Sequence, residues 1–310
     1  VGIMSAERIE FQMYPDGGGT RVATYREGKI DYDGALYDEL FFEEQTPSTF
    51  FAEPTFELHD VTIGKGFHWE RRETQKFAGA LKIIVENNEL TAINVIGVED
   101  YLLSVISSEM NQNSPEEFLK AHAVISRSWV MAQLAHNGKI ACDAAERESF
   151  LKCRNIEEVV TWLAMHRHSA GNESHVPEAP SGETEYIRWY DRSDHCNFDV
   201  CADDHCQRYQ GLTRATETSV QKAIDATWGQ VLTFEGELCD ARFSKCCGGT
   251  TELFSTCWAS DDKAYLPALP DTPGHLPLDT ANADGTIVVP FCSLADSPLL
   301  ARVFNSYDRE

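Results

Sequence analysis

The 310-residue chain has no run of about 18 apolar residues, so no segment reads as a membrane-spanning helix. It also lacks a Gly-x-Ser-x-Gly elbow, a His-Glu-x-x-His helix and a Walker loop, which removes three common catalytic formats. Positive charge is scarce: 26 Lys and Arg stand against 50 Asp and Glu, a formal net charge of −24. A field of that sign repels phosphate backbones, so nucleic acid is not an expected partner. The plain reading of the charge is solubility. An anionic polymer would have to be met in a local pocket, not by long-range attraction. The opening Val1-Gly2-Ile3-Met4 shows no signal-peptide pattern and reads as the start of a mature or trimmed chain.

What is present points to a folded protein. Hydrophobic residues make up 42% and charged residues 25%, enough apolar mass for a core and too little charge for wholesale disorder. The length allows one large domain or two smaller ones. Ten cysteines are many for a cytosolic enzyme. They indicate disulfides in an oxidising compartment, a metal site, or both.

The first ninety residues read as β-structure. Ile9, Phe11 and Met13 alternate with polar residues until Asp16-Gly17-Gly18-Gly19. Residues 80–86 and 90–96 are apolar runs separated by Asn87-Asn88, whose tolerance of positive φ predicts a hairpin. The acidic stretch Phe42 to Pro54 reads as a loop. From Val98 to Met110 the apolar positions Leu102, Val105 and Ile106 form a helical stripe. Ser114-Pro115-Glu116-Glu117 predicts a capped second helix running to His136, where Asn137-Gly138 can end it. Its small residues around Ala121 to Ser128 suit a buried helix.

Residues 138–185 read as an insertion: a helix from Asn155 to His168, then a Gly-, Pro- and Ser-rich loop. Its histidines His166, His168 and His175 have no neighbouring cysteine and read as surface residues. Tyr186 to Tyr190 reads as a strand. A short helix over 216–228 should end at Gly229. Val231–Phe234 and Glu237–Phe243 flank Glu235-Gly236, a two-residue hairpin turn. Beyond Pro267 the chain is rich in Pro, Asp and Gly.

Three groups of residues could carry chemistry. Glu109 continues the apolar stripe of the first helix. A carboxylate there is costly unless paired, and desolvation favours its protonated form, which a general acid needs. Pairing with Arg127 or a backbone cap is the plainer alternative. The second group runs from Asp194 through His195, Cys196, Cys201 and His205 to Cys206. Thiolates and imidazoles at this density suit tetrahedral zinc. His195, Cys201 and Cys206 are the first three candidate ligands. His205, Cys196 or a nearby carboxylate would be the fourth. Disulfides with bystander histidines are the rival reading. The third group is Cys239, Cys246, Cys247 and Cys257, for which disulfide, second metal site, buried thiols and catalytic thiol all stay open, as does the state of Cys142, Cys153 and Cys292.

At Tyr101-Leu102-Leu103-Ser104-Val105-Ile106-Ser107-Ser108-Glu109-Met110 the chain resembles the SpoIID/LytB family of bacterial cell-wall proteins, with its Tyr-Leu-x-x-Val-x-x-x-Glu-Met motif. Lys120-Ala121-His122-Ala123 with Ser126-Arg127-Ser128 resembles the family's Lys-Ala-Gln-Ala…Ala-Arg-Thr helix. Thr227-Trp228-Gly229-Gln230-Val231-Leu232 resembles its Thr-x-Gly-x-Val-Leu step, and Cys247-Gly248-Gly249-Thr250 its Ser/Cys-Gly-Gly-x-Thr turn. The motifs cover roughly residues 90–260. Asn111 departs from the family's usual proline, and its Gly- and His-rich C-terminal segment ending in Gln-x-Gly-Ala has no counterpart here.

The resemblance implies a lytic transglycosylase. It would cleave N-acetylmuramic acid–N-acetylglucosamine bonds in peptidoglycan strands, with peptide-stripped strands preferred and Glu109 as the catalytic acid. Arg127 would position substrate or Glu109. The family's His-x5-Cys-x5-Cys zinc site would map to His195 and Cys201, with Cys206 one residue early, and the zinc would be structural. The resemblance also admits a non-enzymatic glycan-binding protein that activates an amidase, and the metal cluster alone would fit a zinc-stapled binding domain. The expected fold is α+β: a β-rich N-terminal domain over 1–90, then a mixed helix–sheet core over 91–310. The implied location is extracytoplasmic, in the periplasm or cell envelope, after removal of a signal sequence.

Overall fold

The computed structural model describes residues 1–14, 19–43, 54–66, 68–136, 195–203, 205–244, 247, 250–259 and 261–269. The readings placed on 15–18, 44–53, 137–194 and 270–310 lie outside the described residues. These include the insertion with its helix and its three histidines, the strand at 186–190, Cys142, Cys153 and Cys292, and the Pro-rich C-terminal stretch.

The fold is α+β. The N-terminal part is a succession of strands: β1 (Gly2–Ala6), β2 (Arg8–Met13), β3 (Arg21–Arg26), β4 (Lys29–Tyr32), β5 (Ala35–Tyr37), β6 (Glu39–Phe42), β7 (Phe56–Ile63), β8 (Arg71–Phe77), β9 (Ala80–Glu86) and β10 (Glu89–Val95). They form a four-stranded sheet in the order β1-β10-β9-β6 and a six-stranded sheet in the order β5-β4-β3-β2-β7-β8. All pairings are antiparallel. The alternation in β2 puts Ile9, Phe11 and Met13 into the core, at 0%, 0% and 4% exposure. Asn87 and Asn88 take φ of 52° and 62° between β9 and β10, the double left-handed turn that suits the twist of the flanking strands. β10 is buried on both faces from Leu90 to Asn94.

The helices follow directly: α1 (Val98–Glu109) and α2 (Glu116–His136). Leu102, Val105 and Ile106 of α1 are fully buried, as their spacing demands. Glu99 and Asp100 sit in its first turn, where the helix dipole favours acids. The expected capping box at Ser114 does not form. Glu117 turns to Lys120 instead (2.9 Å), as does Glu116 (2.6 Å), because an ion pair one turn along competes for the same carboxylates. Later come α3 (Thr218–Ala226), β11 (Thr233–Phe234), β12 (Glu237–Leu238) and α4 (Phe254–Cys257). Glu235 and Gly236 make the β11–β12 turn with φ of 51° and 86°, and the strands are shorter than the apolar runs around them.

The chain divides into two compact units, Val1–Glu173 with His195–Ala241, and Ser174–Asp194 with Arg242–Glu310. In the first, the strands and α1 to α3 share one hydrophobic cluster. In the second, α4 is flanked by Arg242 over the Trp258 ring (4.3 Å) and by Asp262, which accepts the Ser255 N–H (2.9 Å).

Candidate active site and metal centre

Glu109 ends α1 and is half-buried. Its Oε1 accepts the backbone N–H of Arg208 at 2.7 Å. That contact belongs to a larger seam. Segment 207–210 lies along α1: the Tyr101 hydroxyl donates to Gln207 Oε1 (3.1 Å), and the Ser104 hydroxyl accepts Gln210 N–H (3.0 Å). Tyr209 stacks on Tyr101 with ring centroids 5.3 Å apart and planes 12° apart. The Tyr209 hydroxyl in turn donates to Asn94, whose amide nitrogen donates to the carbonyls of Ala78 (2.8 Å) and Ala80 (3.2 Å). Burial pushes the hydroxyls of Tyr101 and Tyr209 well above their ordinary pKa, so both stay protonated donors.

Arg127 does not reach Glu109. It is fully buried, and its guanidinium clasps Glu99 from Nε (2.8 Å) and Nη2 (2.6 Å) while Nη1 donates to the Gln230 carbonyl (3.0 Å). Glu99 also accepts Gly229 N–H at 3.2 Å. The residue expected to position substrate or Glu109 therefore ties α1 to α2 and to the turn after α3. An arginine with no exposed surface is committed to such a partner, since an unpaired charge would not tolerate that burial.

Immediately before the seam lies the cysteine–histidine segment. One ligand atom each from His195, Cys201, His205 and Cys206 falls within 4.8 Å of all the others. His195 Nε2 is 3.4 Å from the Cys206 sulfur, and His205 Nδ1 is 3.4 Å from Cys206 and 3.8 Å from Cys201. Zinc bonds of about 2.3 Å to sulfur and about 2.0 Å to nitrogen imply tetrahedral S···N edges of about 3.5 Å, which these separations match. The donor set, two thiols and two imidazoles, is the one zinc prefers. His205 takes the fourth place in the cluster, while Cys196 is an exposed free thiol outside it. Cys201 and Cys206 are free thiols rather than a disulfide. Hydrogen bonds from Cys206, His195 and His205 pull the Cys201 thiol far down toward thiolate, and the Cys206 thiol is pushed up by the same partnership. His195 Nδ1 meets the Phe198 carbonyl at 3.2 Å, a contact that orients the ring and points Nε2 into the cluster.

The cluster is anchored to β1. Gly2 N–H donates to the Val200 carbonyl (2.8 Å), and Ala202 N–H donates back to Gly2 (2.9 Å). Phe198 stacks on His195 at 4.6 Å and crowds Gly2 so closely that a Cβ there would lie 2.5 Å from its ring. Sequence reading missed Glu99, Arg208 and Gly2. Glu99 had a signal, since a lone arginine in a buried helix demands an acid elsewhere. The Arg208 amide had none, because a backbone group carries no residue identity.

Comparison with known proteins gives a consistent likeness. The family described as stage II sporulation protein (SpoIID) matches residues 86–179 and 179–234. An uncharacterized protein of Brachyspira hyodysenteriae is 28% identical over 87 residues, 28% of this chain and 24% of that protein. The chain thus spans about a quarter of that relative's length. No solved structure matches.

Proposed function

Because the chain belongs to the stage II sporulation protein family, whose members are cell-wall proteins of the envelope, we propose that it is a peptidoglycan lytic transglycosylase with Glu109 as its acid and base. The observation that supports this best is the carboxylate of Glu109, held at the end of a buried helix by the Arg208 amide at 2.7 Å.

One carboxylate suffices for this chemistry. Protonated Glu109 gives its proton to the glycosidic oxygen as the C1–O bond breaks. The carboxylate then takes the proton of the muramic acid 6-hydroxyl, whose oxygen bonds to C1. The product is a 1,6-anhydro sugar, and no water is consumed. Since the nucleophile belongs to the substrate, the second carboxylate of ordinary glycosidases is not required. Fixing Oε1 removes rotational freedom from the acid before substrate arrives.

A zinc ion held by His195, Cys201, His205 and Cys206 would supply positive charge that keeps both sulfurs as thiolates and closes the loop. Four protein ligands leave no open position, so its role is structural. Cys206 adjoins Gln207 and Arg208, and the staple therefore fixes the segment whose amide holds Glu109. The test is digestion of peptide-stripped glycan strands by the zinc-loaded chain, read by mass spectrometry. Anhydro-muramic products from wild type and none from Glu109→Gln support the reading. No products from folded, zinc-loaded wild type would sink it and turn attention to amidase activation.

A further inference from the structure

We propose that Arg208, propped by Trp69, recognises the free lactyl carboxylate of a muramic acid unit and so selects strands from which the stem peptide has been removed. The proposal rests on the reading of Glu109 given above.

Arg127 clasps Glu99, Lys120 holds Glu116 and Glu117, and Arg214 reaches Glu73. Arg208 forms no ion pair among the described residues. Its half-buried guanidinium lies instead over the Trp69 ring, 4.9 Å from the centroid. Its own backbone amide is the group bonded to Glu109, so the cation is one side-chain length from the acid.

Trp69 comes from the β7–β8 turn, before the family match begins at residue 86. The indole rests against Gly64, where a Cβ would meet Cζ3 at 2.1 Å and where φ is +68°. A side chain at that position would collide with the indole, so glycine leaves the room in which the ring sits beneath the Arg208 guanidinium. A guanidinium stacked on an aromatic face keeps its N–H donors in its own plane, ready for a carboxylate fork.

The chemistry of the substrate supplies the matching group. The muramic acid ring whose C1–O bond would break bears a lactyl ether on O3, two ring carbons from C1. With the stem peptide attached that carboxyl is a neutral amide. Once the peptide is removed it is an anion. The overall charge of −24 repels such a group at long range, so its recognition needs a local cation beside the acid. Arg208 is positioned for that role, and Trp69 acts through it as a positioning residue.

Binding is measured with the zinc-loaded full chain carrying Glu109→Gln, so that no strand is turned over. Two ligands are compared: peptide-stripped strands, and the same strands with the lactyl carboxyls converted to neutral amides. The expected preference for the charged strand is about 10- to 100-fold. Arg208→Gln collapses it toward unity, Arg208→Lys restores only part, and Trp69→Ala reduces it. Circular dichroism of each variant confirms the fold. A preference that survives Arg208→Gln, or no preference in the parent, overturns the proposal. Cleavage by wild type without an Arg208-dependent preference would refute this inference alone. An Arg208-dependent preference without cleavage would refute the catalytic reading alone.

Discussion

Replacing Arg127 by methionine would strip a buried carboxylate of its partner and loosen three elements at once. The guanidinium holds both Glu99 oxygens at 2.8 and 2.6 Å and the Gln230 carbonyl at 3.0 Å. The two side chains expose 0% and 7% of their surface, so neither charge has water to fall back on. Removing one member of such a pair costs about 3–5 kcal/mol, because the other charge stays behind in apolar surroundings. Glu99→Leu should cost as much. The double variant Glu99→Leu/Arg127→Met leaves no buried charge. Its remaining losses are the Gly229 N–H and Gln230 carbonyl, which belong to residues that water reaches, and it should cost only about 1–2 kcal/mol. The cycle is therefore far from additive, with a coupling of several kcal/mol. Urea unfolding of the zinc-loaded chain measures it, with circular dichroism and tryptophan fluorescence as separate probes of one transition. Single-variant costs that simply add, within about 0.5 kcal/mol, would refute this account of the pair.

Three further outcomes follow from the same physics. His122 is buried, and desolvation lowers its pKa from 6.5 to about 4. The unfolded chain therefore binds a proton that the folded one refuses. Stability should be complete above pH 6.5, fall as pH drops toward 4, and lose about 3 kcal/mol in all from this residue; thermal melts of His122→Gln should show a flatter acid limb. Chelation, or Cys206→Ser, should release one zinc per chain in a dye assay and destabilise the fold by at least about 3 kcal/mol; full stability with no metal bound would remove the staple from the account. Tyr209→Phe deprives the fully buried Asn94 of a donor and should cost about 1–3 kcal/mol in denaturant unfolding; a neutral result would show that the Asn94 oxygen finds another partner.

What the sequence made legible is what local chemistry determines. The period of Ile9, Phe11 and Met13, the Asn87-Asn88 turn and the stripe through Leu102, Val105 and Ile106 each express a rule that works within a few residues. The crowding of His195, Cys201, His205 and Cys206 belongs to the same class, since four soft donors in so short a stretch can close around one ion by a local loop. What stayed hidden spans long separations. The Arg208 amide meets Glu109 across 99 positions, and Arg127 finds Glu99 across 28. The resemblance implied that Arg127 serves Glu109 or substrate, but burial gave it to Glu99 in the first turn of α1. The capping box at Ser114 failed for a related reason: two acids beside a lysine had a better partner than the helix end. Trp69 carried no motif at all, and only the fold brings it to Arg208.

The central claim is that Glu109 drives attack by the substrate's own hydroxyl. Digestion of peptide-stripped strands in water labelled with heavy oxygen tests it most directly. The account predicts anhydro-muramic ends with no label, formed by wild type and abolished by Glu109→Gln with a rate loss of about 10²-fold or more. Labelled reducing ends would mean that water is the nucleophile, and unlabelled products made equally well by Glu109→Gln would mean that another residue is the acid.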